Sequence, residues 1–318
     1  MAKVDQPPSI SKFTATIGSS KLFSQIMSCL AITANAKFTI NQEGVHVCIE
    51  QSRSIEANAY LTRSWFEEYQ LDTEEDIQFS VDLKSLDFSL RLFGSSISPN
   101  VPSYMNENAS NYRANLFDKH LSSSIIQLSF SDSTMKLSSS VNETETTCKI
   151  LVFEAEEIVS LNDLFNDSEL AASLIIKSEY LKSAFAELDE TSESIQFQIQ
   201  PNDPCLTISS TGLCGECLLE YDNDIESIQS FSCIMPISEN YRFNLIKPCL
   251  KSLEISEKAC LKFNSDGVLA LQFLIHSEKC ATDSHVFLEY IVLYKLIPGA
   301  PPCARVARLR LFRVDAIF

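Results

Sequence analysis

The chain has 318 residues, 45% of them apolar and 21% charged, and its 25 basic and 42 acidic side chains leave a net charge of −17. That balance is globular and the length suits two domains, which excludes a disordered tail or a fibre. No run approaches the roughly 20 apolar residues of a membrane span, the polar, two-proline start Met1–Ile10 lacks the apolar core of a secretion signal, and seven glycines are too few for glycine-rich phosphate loops.

The first ten residues read as a flexible start. Phe13 to Ile17 alternates as a strand does. Residues 19–30 follow with apolar side chains at 22, 23, 26, 27 and 30, one helical face, and with Ser19 or Ser20 as the N-cap. Strand patterns occupy Lys37–Ile40, Val45–Glu50 and Ile55–Leu61, with Glu43-Gly44 as a hairpin turn. Asp76–Val81 alternates again and runs into a helical pattern from Asp82 to Phe93, whose apolar stripe is 83, 86, 90 and 93 and whose stop is Gly94. Residues 97–120 are polar, with Pro99, Pro102 and many Asn and Ser, and read as a mobile insertion. Ser124–Phe130, Thr134–Val141 and Thr147–Phe153 read as strands.

Residues 154–169 open on Glu154-Ala155-Glu156-Glu157 and read as a connector. Beyond it the order resumes. It runs through strand Ala172–Lys177, helix Tyr180–Leu188, and strands Ile195–Gln200, Cys205–Ser209, Cys214–Tyr221 and Gln229–Met235. A helix near Asn244–Leu253 and strands Lys258–Asn264, Val268–Ile275 and His285–Tyr294 complete it. The two halves therefore share one order of about ten elements, and the second helix of each carries Leu-Lys-Ser-Leu, at 83–86 and at 250–253. The expectation is an α+β chain of two like domains, 11–153 and 170–294. Each should place two helices on one side of antiparallel sheets. Residues 295–318 form an atypical tail, rich in Pro and then in Arg.

Catalytic constellations are sparse. There is no Gly-Lys-Ser/Thr phosphate loop and no nucleophile elbow, and the four histidines, His46, His120, His276 and His285, are scattered. Cys214-Gly215-Glu216-Cys217 is a lone CxxC without the second pair that a structural zinc site wants. Eleven cysteines spread from Cys29 to Cys303 fit free thiols in a reducing compartment better than a disulfide framework. The acids cluster in loops, and Asp224-Ile225-Glu226 is the kind of pair that 42 acids produce by chance, so neither a metal nor a cofactor is expected.

Charge is distributed unevenly. Without residues 297–318, which hold Arg305, Arg308, Arg310 and Arg313 against Asp315, the chain is net −20. Yet the four helical windows 19–30, 82–93, 178–188 and 243–253 carry Lys21, Lys84, Arg91, Lys182, Lys247 and Lys251 against four acids. Lys84 and Arg91 share a helix face, as do Lys247 and Lys251. Ordinary solvated helices would also carry lysines, but here the pattern recurs on repeated helices of an acidic chain.

These features resemble the PCNA-like sliding clamps and, more closely, the Rad-one family of checkpoint-clamp subunits. The segments that carry the resemblance are Gly44–Glu50, Ile55–Leu61, Leu92–Ser96, Ser178–Asp189, Leu245–Pro248 and Gly267–Phe273, within a span from about Phe13 to about Tyr290. The resemblance implies a nuclear, non-catalytic subunit of the 9-1-1 heterotrimer, formed with Rad-nine-like and Hus-one-like chains and placed on DNA by a clamp loader. It implies a ring whose helices face double-stranded DNA without reading sequence, so that Lys21, Lys84, Arg91, Lys182, Lys247 and Lys251 face phosphates. It implies subunit contacts through edge strands, with Lys149, Leu151 and Phe153 on one and Glu216, Leu218 and Glu220 on the other. It also implies a platform for repair and checkpoint proteins. The alternative reading is a 3′–5′ exodeoxyribonuclease in DNA repair, an activity credited to the family. Two departures stand out: the 97–120 insertion is long for the family, and the tail replaces an expected short acidic one.

Overall fold

The computed structural model describes residues 11–94, 124–141, 144–223, 226–276 and 285–294. The expected insertion at 97–120, the start at 1–10 and the tail at 295–318 lie outside the described residues, as do His120 and part of Asp224–Glu226.

The first half contains strands β1 (Phe13–Ile17), β2 (Asn35–Asn41), β3 (Gly44–Gln51), β4 (Ile55–Thr62), β5 (Glu68–Leu71), β6 (Ile77–Asp82), β7 (Ile126–Ser131), β8 (Thr134–Val141) and β9 (Thr144–Leu151). Helix α1 (Ser20–Leu30) follows β1, and α2 (Leu83–Gly94) follows β6. A short helix α3 (Leu161–Asn166) lies between the halves. The second half repeats the series with β10 (Leu170–Lys177), β11 (Ser194–Ile199), β12 (Leu206–Gly212), β13 (Gly215–Tyr221), β14 (Ile228–Cys233), β15 (Ile237–Arg242), β16 (Lys258–Asn264), β17 (Leu269–His276) and β18 (His285–Val292). Its helices are α4 (Ser178–Glu187), after β10, and the pair α5 (Phe243–Ile246) and α6 (Leu250–Leu253), after β15 and joined by a 3-10 turn over Lys247–Cys249. Pro248 sits in that turn, where its missing N–H and fixed φ break one helix into two.

The local causes are visible. Ser19 is extended and its hydroxyl accepts the Leu22 N–H at 3.2 Å, so it is the cap of α1. Asp82 caps α2: its carboxylate accepts the Ser85 N–H at 2.9 Å and the Ser85 hydroxyl at 2.6 Å, which holds it below the ordinary aspartate range. The apolar stripes go inward, with Phe23, Ile26, Met27 and Leu30 of α1 and Leu83, Leu86, Leu90 and Phe93 of α2 all buried.

All strand pairs are antiparallel, in three sheets. Their orders are β5-β1-β7-β8-β9, β13-β12-β11-β15 and a nine-stranded β14-β10-β16-β17-β18-β4-β3-β2-β6. The long sheet is two sheets joined where β18 pairs with β4, in the register Val286↔Leu61 to Val292↔Ile55. The four main helices pack on one side of this framework: α1 on α2, α4 on α6, and α1 on α6 across the join. Under that last contact the buried Tyr290 hydroxyl donates to the Cys29 carbonyl at 3.0 Å and meets the Ser252 hydroxyl at 2.8 Å.

The connector holds more structure than its sequence announces. Leu161 and Phe165 of α3 bury against Val268, Ala270 and Ile291, the side of the join away from Tyr290. Beside them lies a polar cluster. Buried Glu56 accepts from the Asn58 amide at 2.7 Å and from the Leu161 N–H, and His46 meets Asn58 at 2.8 Å and stacks on Tyr60. Burial raises the Glu56 carboxyl and lowers the His46 imidazole. The expectation of helices on one side holds for the four main ones, and α3 is the exception. Strands β5 and β15 were also missed by periodicity, because Glu-Tyr-Gln-Leu and Ile-Ser-Glu-Asn-Tyr-Arg are short and mostly polar.

Two outcomes are expected from this packing. Tyr290→Phe should cost about 1–3 kcal/mol in denaturant unfolding, since it strands a buried carbonyl and hydroxyl. Asp82→Ala should cost about 1 kcal/mol at neutral pH. Because the folded carboxyl is held low, its contribution is present above the ordinary aspartate range and is lost as pH falls through the depressed value. Wild type and variant should therefore converge in acid.

Candidate nucleic-acid and subunit interfaces

The six expected cations all lie at exposed positions on the four helical segments that share one side of the sheets. Their settings differ. Lys21 is in the first turn of α1 and Lys84 in the first turn of α2. Arg91 meets Asp87 of its own helix through Nε at 2.8 Å. Lys182 on α4 meets Glu254, just past α6, at 2.5 Å. Lys247 donates to the Glu190 carbonyl at 3.0 Å and sits 4.8 Å above the Phe243 ring. Lys251 lies close enough to α1 to lower the Cys29 thiol slightly, against the larger upward push of burial. Two of the six thus form ion pairs, and exposed pairs of this kind contribute about 0–1 kcal/mol.

The expected edge residues fall on two strands that have one free side in the described sheets. β9 ends the five-stranded sheet and β13 ends the four-stranded one. Lys149 and Leu151 are exposed on β9, Leu151 at 74%. Val152 donates its N–H to the Ser133 carbonyl, so the Leu151 N–H points away from β8. Phe153 differs from expectation. The strand stops at Leu151, and the Phe153 N–H and carbonyl are both used by Ser80 of β6, at 2.8 and 2.9 Å. Only its side chain remains for a partner. On β13, Glu216, Leu218 and Glu220 are exposed and alternate with half-buried Cys217, Leu219 and Tyr221.

Asp189 fixes the start of β13. It accepts the N–H of Cys214 at 2.9 Å and of Thr191 at 2.8 Å, which holds its carboxyl well below the ordinary range. The same carboxylate raises the exposed Cys214 thiol, chiefly by hydrogen bonding and then by charge. A redox cysteine wants the opposite shift. The nine cysteines among the described residues are free thiols. Among the described residues no group of three or more His, Cys, Asp or Glu is placed to hold a metal ion. No helix among the described residues is long and apolar enough to cross a membrane.

Comparison with known proteins shows the family. The family described as repair protein Rad1/Rec1/Rad17 matches residues 12–275. The chain belongs to that family. The human cell cycle checkpoint protein RAD1 is 27% identical over 277 residues, covering 87% of this chain and 89% of that protein. The DNA damage checkpoint control protein rad1 of Schizosaccharomyces pombe is 23% identical over 262 residues, covering 80% and 79%. The DNA repair protein Rad1 of Drosophila melanogaster is 22% identical over 284 residues, covering 89% and 93%. The fold is that of the PCNA-like clamps, and membership of the family carries a role in the DNA damage checkpoint and in repair.

The helix charges give a direct test. Reversing Lys84, Arg91, Lys247 and Lys251 together should flatten the dependence of log K on log salt for duplex DNA, where each neutralised phosphate contributes a slope of about −0.9. Folding should hold, because exposed charge changes cost within about 0.5 kcal/mol each. Lys136 and Lys262 alternate with buried neighbours on β8 and β16, so reversing them is the control. Equal losses in both sets would show that the helix cations have no special part in binding.

Proposed function

We propose that this chain is a non-catalytic subunit of a heterotrimeric DNA sliding clamp. Its place is around double-stranded DNA at damage sites in the nucleus, as a platform for checkpoint signalling and repair factors. Residues 11–153 and 170–294 are its two clamp domains and 154–169 their connector. The partners are one Rad-nine-like and one Hus-one-like chain, with a clamp loader to close the ring. The six helix cations face the phosphates, and a topologically closed ring needs only modest, sequence-independent attraction to stay on DNA.

The observation that carries this reading is the β4·β18 join. By position in the repeated order, β9 of the first half corresponds to β18 of the second, and β13 corresponds to β4. Inside the chain β4 and β18 pair with each other, whereas among the described residues β9 and β13 have no strand on one side. The join is thus a template for the contact that each end of the chain would make with a neighbouring subunit. An open edge with exposed leucines is a liability unless another strand covers it.

Purification of the tagged chain from its own cells should bring down two stoichiometric partners, and the complex should leave DNA intact in Mg²⁺. A monomer that degrades DNA from 3′ ends would replace this reading with the exonuclease. Leu151→Pro removes an outward donor, and Leu218→Pro kinks the other edge. Each should abolish pairing with one partner while the chain still folds. If both variants still assemble the heterotrimer, the contacts lie elsewhere.

A further inference from the structure

Among the described residues, the large apolar side chains that stand exposed on helices are Phe88 and Leu92, both on α2. Phe88 is 65% exposed and Leu92 45%. The helix does not need them for anchorage, because Leu83, Leu86, Leu90 and Phe93 already fill its buried stripe. At 100° per residue, Lys84, Phe88 and Arg91 fall within about 60° of one another on the cylinder. The phenyl ring is therefore bracketed on one stripe by a cation four residues before it and another three after it. Asp87 lies on the flank, where it holds Arg91 through Nε.

The equivalent segment of the second half makes the contrast. It repeats the cations, as Lys247 and Lys251, but its aromatic, Phe243, is buried with Lys247 above the ring. Duplex DNA presents phosphates outward and keeps its bases stacked, so cations alone suffice for it and an exposed ring gains little. An unpaired strand offers both a charged backbone and free base faces. Its recognition combines cations on the phosphates with an aromatic side chain stacked on a base.

We propose that the exposed stripe of α2 is a subsite for single-stranded nucleic acid. Phe88 stacks on one unpaired base, and Lys84 and Arg91 hold the phosphates on either side of it. The inference rests on the helix face being the DNA-facing surface, and it deepens that reading. The strand held on the first half is unpaired, as beside a duplex end or gap, whereas the segment 243–253 of the second half, which has cations and a buried ring, takes duplex backbone.

The test uses the full chain at low salt, with fluorescence anisotropy on labelled oligo-dT and on a blunt duplex of equal length. Phe88→Ala should weaken oligo-dT binding by about tenfold and leave duplex binding and thermal unfolding unchanged. Phe88→Trp should restore the loss. Lys84→Glu with Arg91→Glu should weaken both ligands. If Phe88→Ala is silent, or weakens both ligands equally, while the charge variant still acts, stacking is wrong and the DNA-facing reading stands. If the charge variant is silent too, both fall. If the stripe is covered by residues 95–123, which continue from α2, or by a protein partner, Phe88→Ala should alter hydrogen exchange in that segment or partner co-purification. DNA binding would then stay constant, and the proposal would be overturned.

Discussion

The structure depends on one pairing, that of β4 with β18. Neither strand is near the other in sequence, and together they turn two similar halves into a single nine-stranded sheet. Almost everything else is local to a half: the caps of α1 and α2, the hairpins and the stripes that go inward. The join sets where the two helix layers meet, because α1 reaches α6 directly above Tyr290. It also sets where α3 can lie, because Ala270 and Ile291 present their apolar side on the opposite face. A backbone ladder binds the two halves along seven residue pairs, and the side chains that each face must bury set its register.

The join is polar where a simple core would not be. Glu56, Asn58 and Glu289 are buried beside it, and each has a hydrogen-bond partner: the Asn58 amide on Glu56, His46 on Asn58, and the Gln272 amide on Glu289 at 2.6 Å. Burying such groups is tolerable only when they are satisfied, and a satisfied network specifies one arrangement where an apolar surface would allow several. Glu56 also accepts the first N–H of α3. One buried carboxylate thus ties the connector to the strand that joins the halves.

Electrostatically the molecule is two-sided in composition. A chain of net −17 keeps cations on the exposed positions of its main helices, and spends some of its acids on them, Asp87 on Arg91 and Glu254 on Lys182. Such exposed pairs add little to stability. They hold long side chains in place at small cost.

Much of this was written in the sequence. The bounds of β1 and β16 follow from alternation, and α1 and α2 from stripes that the core then buries, because a half-buried element must repeat its apolar residues at its own period. The off-stripe position of Phe88 follows from the same arithmetic. The duplicated order was legible as well, and with it the family. Periodicity could not reveal β5, β15 or α3, which are short, largely polar or placed in an acidic stretch, and which owe their state to neighbours rather than to propensity. Nor could it show that Phe153 gives its backbone to Ser80, or that β4 closes on β18 while β9 and β13 end their sheets among the described residues. All of these are strands of similar make, so alternation alone cannot rank them. Which edges meet is decided by long-range packing, and that exists only once both halves have folded.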